Sequence, residues 1–182
     1  VAFHPNTERL ISAWRARRGE RRLPARADLS PIDLGPLLLP QVFMLGREGD
    51  REVFRLSGGL ICDLYGRDLR GTEFTGLWRA SEQRLIADAI ARARHAAAPI
   101  VLNADAEAPS GDQIGVEICL APLTGPGGAA DRTLGLLQPT SMVGRLLGQR
   151  VRTLSLRGAA LAVDPKGGPT IRLVAVNGRR LA

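Results

Sequence analysis

The sequence holds few of the residues that carry chemistry. Its 182 residues include two histidines, His4 and His95, and two cysteines, Cys62 and Cys119. Neither histidine sits in an H-E-x-x-H pattern or a Cys/His cluster, so a zinc site is not expected. The cysteines lie far apart, forming neither a disulfide framework nor a C-x-x-C pair. No G-x-S-x-G elbow is present. The single lysine, Lys166, stands in Pro165-Lys166-Gly167-Gly168. A phosphate loop needs Gly-Lys-Ser/Thr leading into a helix, which excludes that chemistry here. No catalytic constellation remains, and the chain reads as non-enzymatic.

Aromatic residues make up only 4% of the chain, so a core must be built mainly from Leu, Ile, Val and Ala. Long apolar runs are also missing. The most apolar stretch, IDLGPLLLPQVFML, is cut by Pro36 and Pro40. It falls short of the roughly 20 residues needed to span a bilayer. No signal-peptide pattern is seen at the start, and a cytoplasmic location is expected.

Hydrophobic residues supply 45% of the sequence, enough for a packed domain. The formal net charge is +7, and the basicity is carried almost wholly by arginine. It is unevenly spread. Residues 1–28 carry a net +4 and residues 145–182 a net +7, whereas 29–144 carry −4. Two basic ends therefore flank a mildly acidic middle. Such ends could attract nucleic acid or another anion by counterion release, and this is the alternative functional reading.

Residues 5–18 read as an amphipathic helix, with Leu10, Ile11 and Trp14 on one face and Arg15, Arg17 and Arg18 opposite. Gly19 is placed to end it. That apolar face could join two copies through Trp14, or could pack on the chain's own sheet. Ser30-Pro31 reads as a cap and first residue of a short helix. VFMLG (42–46) and VFRLS (53–57) flank a polar turn and predict a hairpin. In the second run Phe54 and Leu56 alternate with Val53, Arg55 and Ser57, as on a half-buried strand. The stretch 58–76 is punctuated by five glycines and suits only short helices. A longer helix is expected over about 80–97, its apolar stripe containing Leu85, Ile86, Ala89, Ile90 and Ala93, and Pro99 stops it. Three strands follow at 99–105, 113–123 and 133–139, and β-like pieces fill the basic end. Sequential strands with a helical block between the second and third imply an antiparallel α+β domain. The chain divides into an N-terminal helical extension (1–40), a central domain (41–144) and a basic extension (145–182).

This order resembles the PAS fold, a five-stranded antiparallel sheet with helices packed on one face. The motifs carrying the likeness are W-R-x-R-R-G (14–19), L-P-x-R-x-D-L-x-P (23–31), L-L-P-x-V-F-x-L (38–45), F-R-L-x-G (54–58), D-L-Y-G-R-D-L-x-G (63–71) and L-W (77–78). Together they look like small alphaproteobacterial PAS-like proteins. The resemblance implies a regulator in cell-cycle, polarity or motility signalling, with a signalling partner such as a histidine kinase. It implies no catalytic residues. It also implies a ligand space between sheet and helical block, lined by Phe54, Leu56, Ile61, Cys62, Tyr65, Phe74, Trp78, Ile86 and Ile118. These are equally ordinary core residues, and a small apolar or amphipathic ligand is the cofactor class they suit. Light-sensing relatives place a flavin-reactive cysteine in an N-C-R-F-L-Q type motif, and Cys62 in I-C-D-L-Y lacks those neighbours. Haem would need an axial histidine, and His95 has arginine-rich surroundings. Neither flavin nor haem is expected.

Overall fold

The computed structural model describes residues 2–163, 171–176 and 179–180, the last two as backbone only. Helix α1 spans Pro5–Arg18. Strands β1 (Val42–Glu48) and β2 (Arg51–Ser57) form the predicted hairpin, turning at Gly49-Asp50. Helix α2 (Gly59–Tyr65), a 3-10 turn over Thr75–Leu77 and helix α3 (Gln83–Ala96) make the helical block. Strands β3 (Ile100–Glu107), β4 (Gln113–Leu123) and β5 (Arg132–Pro139) follow. The basic end supplies β6 (Thr153–Ala162), β7 (Ile171–Val176) and β8 (Arg179–Arg180). A 3-10 turn over Pro31–Leu34 stands where Ser30-Pro31 predicts one.

Among the described residues, eight strands join one sheet in the order β2-β1-β5-β4-β3-β6-β7-β8, and every strand pairing is antiparallel. The five expected strands are its first five positions. The β-like extension is not separate from them. β6 pairs along the whole of β3, from Ile100 with Leu161 to Glu107 with Thr153. It thereby occupies a sheet edge that would otherwise stay open.

The two faces of the sheet bury different clusters. One face carries Phe43, Leu45, Phe54, Leu102, Ile118 and Leu156 under α2 and α3. The other carries Val42, Met44, Cys119, Ala121, Leu134 and Leu136 under α1. Period-2 alternation explains the split along β4: Ile114, Val116, Ile118 and Leu120 face the helical block, while Cys119 and Ala121 face α1.

Helix α1 is held to the sheet by polar contacts as well. The Trp14 indole Nε1 donates to the Pro122 carbonyl at 2.8 Å. Asn6 Nδ2 donates to Gln138 Oε1 at 2.7 Å, and the His4 backbone N–H to Glu117 Oε1 at 2.9 Å. Leu10, Ile11 and Trp14 are 0%, 1% and 1% exposed. Of the two readings of that apolar stripe, packing on the chain's own sheet is the one realised. The side chains named for a dimer interface are thus covered within one copy.

The glycine-punctuated stretch wraps the free edge of β2. Phe54 N–H donates to Thr72 O at 3.0 Å, Gly71 N–H to Phe54 O at 2.9 Å, and Phe74 N–H to Glu52 O at 2.7 Å. Two glycines there have a steric reason. Gly66 ends α2 in the left-handed region at φ 65°, which a side chain disfavours. Gly58 lies against the Leu39 and Pro40 carbonyls, where a Cβ would collide with backbone.

Candidate functional site

Seven of the nine residues expected around a ligand space come together between the sheet and the helical block. They are Phe54 from β2, Ile61 and Tyr65 from α2, Phe74 and Trp78 beside the 3-10 turn, Ile86 from α3 and Ile118 from β4. All are buried. The rings of Phe43, Phe54 and Phe74 form a triangle with centroids 5.3 to 5.8 Å apart, and Trp78 meets Phe74 edge-on at 6.0 Å. Such offset and edge contacts are the favoured aromatic geometries. Most of the chain's few aromatic side chains thus gather in one place.

The other two residues lie elsewhere. Leu56 is 40% exposed and is not part of this cluster. The cause is a bulge: Leu45 pairs with Phe54, but the neighbouring Met44 pairs with Leu56. Arg55 is the extra residue, and Leu56 stands opposite a residue of the α1 face. One inserted residue breaks the alternation on which the expectation rested. Cys62 is likewise outside the cluster. It is half-buried, with Sγ 3.3 Å from the Ser57 hydroxyl. On so short a helix, Ile61, Leu64 and Tyr65 take the inner face and Cys62 the outer one.

Two polar groups within the cluster have no partner: the Tyr65 hydroxyl and the Trp78 indole N–H. Burial pushes the Tyr65 phenol up, so it stays protonated and able to donate. An unmatched buried donor costs free energy that ordinary packing does not return.

Sequence reasoning overlooked a second polar feature. Glu52 of β2 and Arg94 of α3 form an ion pair at 2.5 Å, with side chains 6% and 11% exposed. A signal for it was available. Glu52 lies two residues before inward-facing Phe54, and Arg94 lies four after buried Ile90. Opposite charges at two core-facing positions point to a pair. It borders an open cleft of about 810 Å³ between α3, the β1–β2 hairpin and the β4–β5 connection.

The N-terminal arginines are largely engaged within the chain. Arg15 donates to the Val163 carbonyl, Arg22 to the His95 carbonyl, and Arg21 pairs with Asp28 at 2.6 Å. Arg18 lies 5.3 Å from the Trp14 ring centroid, within cation–π range. Among the described residues, no group of three His, Cys, Asp or Glu could hold a metal, and no helix is long and apolar enough to cross a membrane.

A PAS domain family model matches residues 2–138. The chain belongs to the PAS domain family. The matched range includes α1, which the sequence reading set apart as an extension. Among solved structures, a light-oxygen-voltage domain studied with a flavin analogue superposes with a TM-score of 0.50 at 11% identity, over 63% of this chain and 87% of that one. The dark structure of the blue-light photoreceptor Aureochrome1 LOV is also similar, at 12% identity and TM-score 0.48, over 65% of this chain and 88% of that one. The first of these likenesses concerns the fold. No curated protein matches the sequence. PAS membership is consistent with a sensory or regulatory module.

Proposed function

We propose that this PAS domain is a non-enzymatic sensory module in bacterial signalling that acts through protein–protein contacts. Its input is a small, largely apolar ligand held between the sheet and the helical block. One observation carries the ligand: the Tyr65 hydroxyl and Trp78 indole N–H are buried donors without partners in an otherwise apolar cluster. A ligand with hydrogen-bond acceptors would satisfy them and gain the apolar contact around them.

The output runs through β6. Trp78 forms a parallel bridge with Leu154, and the Arg79 N–H donates to the Leu154 carbonyl at 3.0 Å. Movement of Trp78 would therefore be felt at the strand that closes the sheet edge. A ligand favouring one arrangement shifts the population accordingly. The partner implied by the family resemblance is a signalling protein such as a histidine kinase, in cell-cycle, polarity or motility control. With Leu10, Ile11 and Trp14 buried, self-association through them would require α1 to leave the sheet.

Flavin is not assigned a role. The unpartnered polar groups of the cluster are one hydroxyl, which can donate or accept, and one indole N–H, which only donates. The Cys62 thiol is turned toward Ser57.

Native mass spectrometry of the purified chain tests the proposal. A small-molecule adduct lost in Tyr65→Phe or Trp78→Phe supports it. A chain that carries no adduct, and that no apolar compound stabilises thermally, overturns the ligand. The alternative, anion or nucleic-acid binding through the basic ends, predicts salt-sensitive affinity that falls when Arg145, Arg150 and Arg152 are replaced by glutamine.

A further inference from the structure

The cleft beside the Glu52–Arg94 pair is separate from the aromatic cluster, and its lining holds no Phe, Tyr or Trp. Its volume, about 810 Å³, lies within the range of small-molecule sites. Its lining excludes an apolar ligand, because its only hydrophobic side chains are alanines such as Ala87 and Ala91. Both signs of charge face it. Arg47, Arg84 and Arg94 line it, as do Glu52, Glu73 and Asp131. A simple anion would meet the carboxylates, and a simple cation the guanidiniums.

The buried polar atoms here are incompletely matched. Arg94 Nε donates to nothing, while Glu52 Oε2 and Asp131 Oδ1 accept from nothing. A buried ion pair is a poor stabiliser unless its remaining donors and acceptors are satisfied. The unmatched set holds a donor on a cation and acceptors on two carboxylates. Its complement is one molecule carrying both a carboxylate and an ammonium or guanidinium. We propose that the cleft between α3 and the β1–β2 hairpin binds a small zwitterion of the amino-acid class, up to dipeptide size. Arg94, with Arg84 at the exposed rim, takes the carboxylate. Glu52 and Asp131 take the cationic group.

This site differs in place and ligand chemistry from that around Tyr65 and Trp78, so each can fail alone. The test uses the full chain and the proteinogenic amino acids as probes, with acetate and guanidinium as single-charge controls. Binding is read by thermal shift and by backbone-amide NMR. At least one amino acid should bind with a Kd at or below about 1 mM, and neither control should match it. The amides of Glu52, Arg94 and Asp131 should move, and those of Tyr65 and Trp78 should not. Arg84→Ala, on the exposed rim, should weaken binding about tenfold without loss of fold. Arg94→Glu combined with Glu52→Arg keeps an ion pair but reverses it, and should abolish binding. If that double variant does not fold, Arg84→Ala decides. The proposal is overturned if no amino acid binds at about 10 mM, if acetate or guanidinium binds as well, or if the responding amides lie in the aromatic cluster.

Discussion

Glu82, just before α3, accepts a hydrogen bond from the Leu156 backbone N–H at 2.9 Å through Oε2. This contact ties the helical block to the strand that closes the sheet edge. Glu82→Ala removes the acceptor from a partly buried N–H and should cost about 1 kcal/mol. For a domain of this size the melting temperature falls by roughly 2–4 °C. Glu82→Gln keeps an acceptor and should melt close to the parent. Matching melts for the alanine variant and the parent would count against any tie to the helical block.

Gly58→Ala should be more damaging. Its Cβ would run into the Leu39 and Pro40 carbonyl oxygens, which are backbone and cannot swing aside. Overpacking of this kind costs about 1–3 kcal/mol. Gly59→Ala is the control, because a Cβ there meets nothing nearby and the residue lies within α2. Denaturant unfolding of the two variants should separate them clearly.

Tyr65→Phe removes a buried hydroxyl that has no partner. Without ligand the variant should be as stable as the parent, or more stable by up to about 1 kcal/mol. Should the chain's ligand accept from Tyr65, the same change weakens ligand binding. A loss of stability above about 1 kcal/mol in the ligand-free chain would mean that the hydroxyl already has a partner.

Glu107 and Arg79 give a pH dependence. Arg79 Nη2 lies 2.6 and 2.8 Å from the two Glu107 carboxylate oxygens. That hydrogen bond holds the Glu107 carboxyl below its ordinary value, against the opposing effect of burial. A carboxyl lowered in the folded state stabilises the fold above its unfolded pKa, and this stability is lost as pH falls through the folded pKa. Glu107→Gln should therefore reduce stability near neutral pH and converge with the parent in acid. Arg79 is half-exposed, so solvent screening keeps the difference below about 1 kcal/mol. A gap that persists in acid would assign the effect to packing.

Several element ends could be read from residues alone. Gly19 and Gly66 end α1 and α2, and the hairpin turns at Gly49-Asp50 as the local turn chemistry predicts. Seven of nine expected cluster residues meet, and Phe54, Ile61, Tyr65, Ile86 and Ile118 do so on the local periods of strand and helix. Leu56 misses because a bulge depends on which residue lies opposite, and a lone strand carries no record of that. Cys62 misses because a seven-residue helix places only one narrow face inward.

Local punctuation and the α+β order follow from the sequence alone. Those properties depend on neighbouring residues and on composition. Only the tertiary structure decided that α1 covers the second face, that β6 seals the edge of β3, and that Glu52 meets Arg94. Each joins residues more than 20 positions apart in the chain. Such contacts are selected by the burial they make possible together, and no short window of sequence contains both partners.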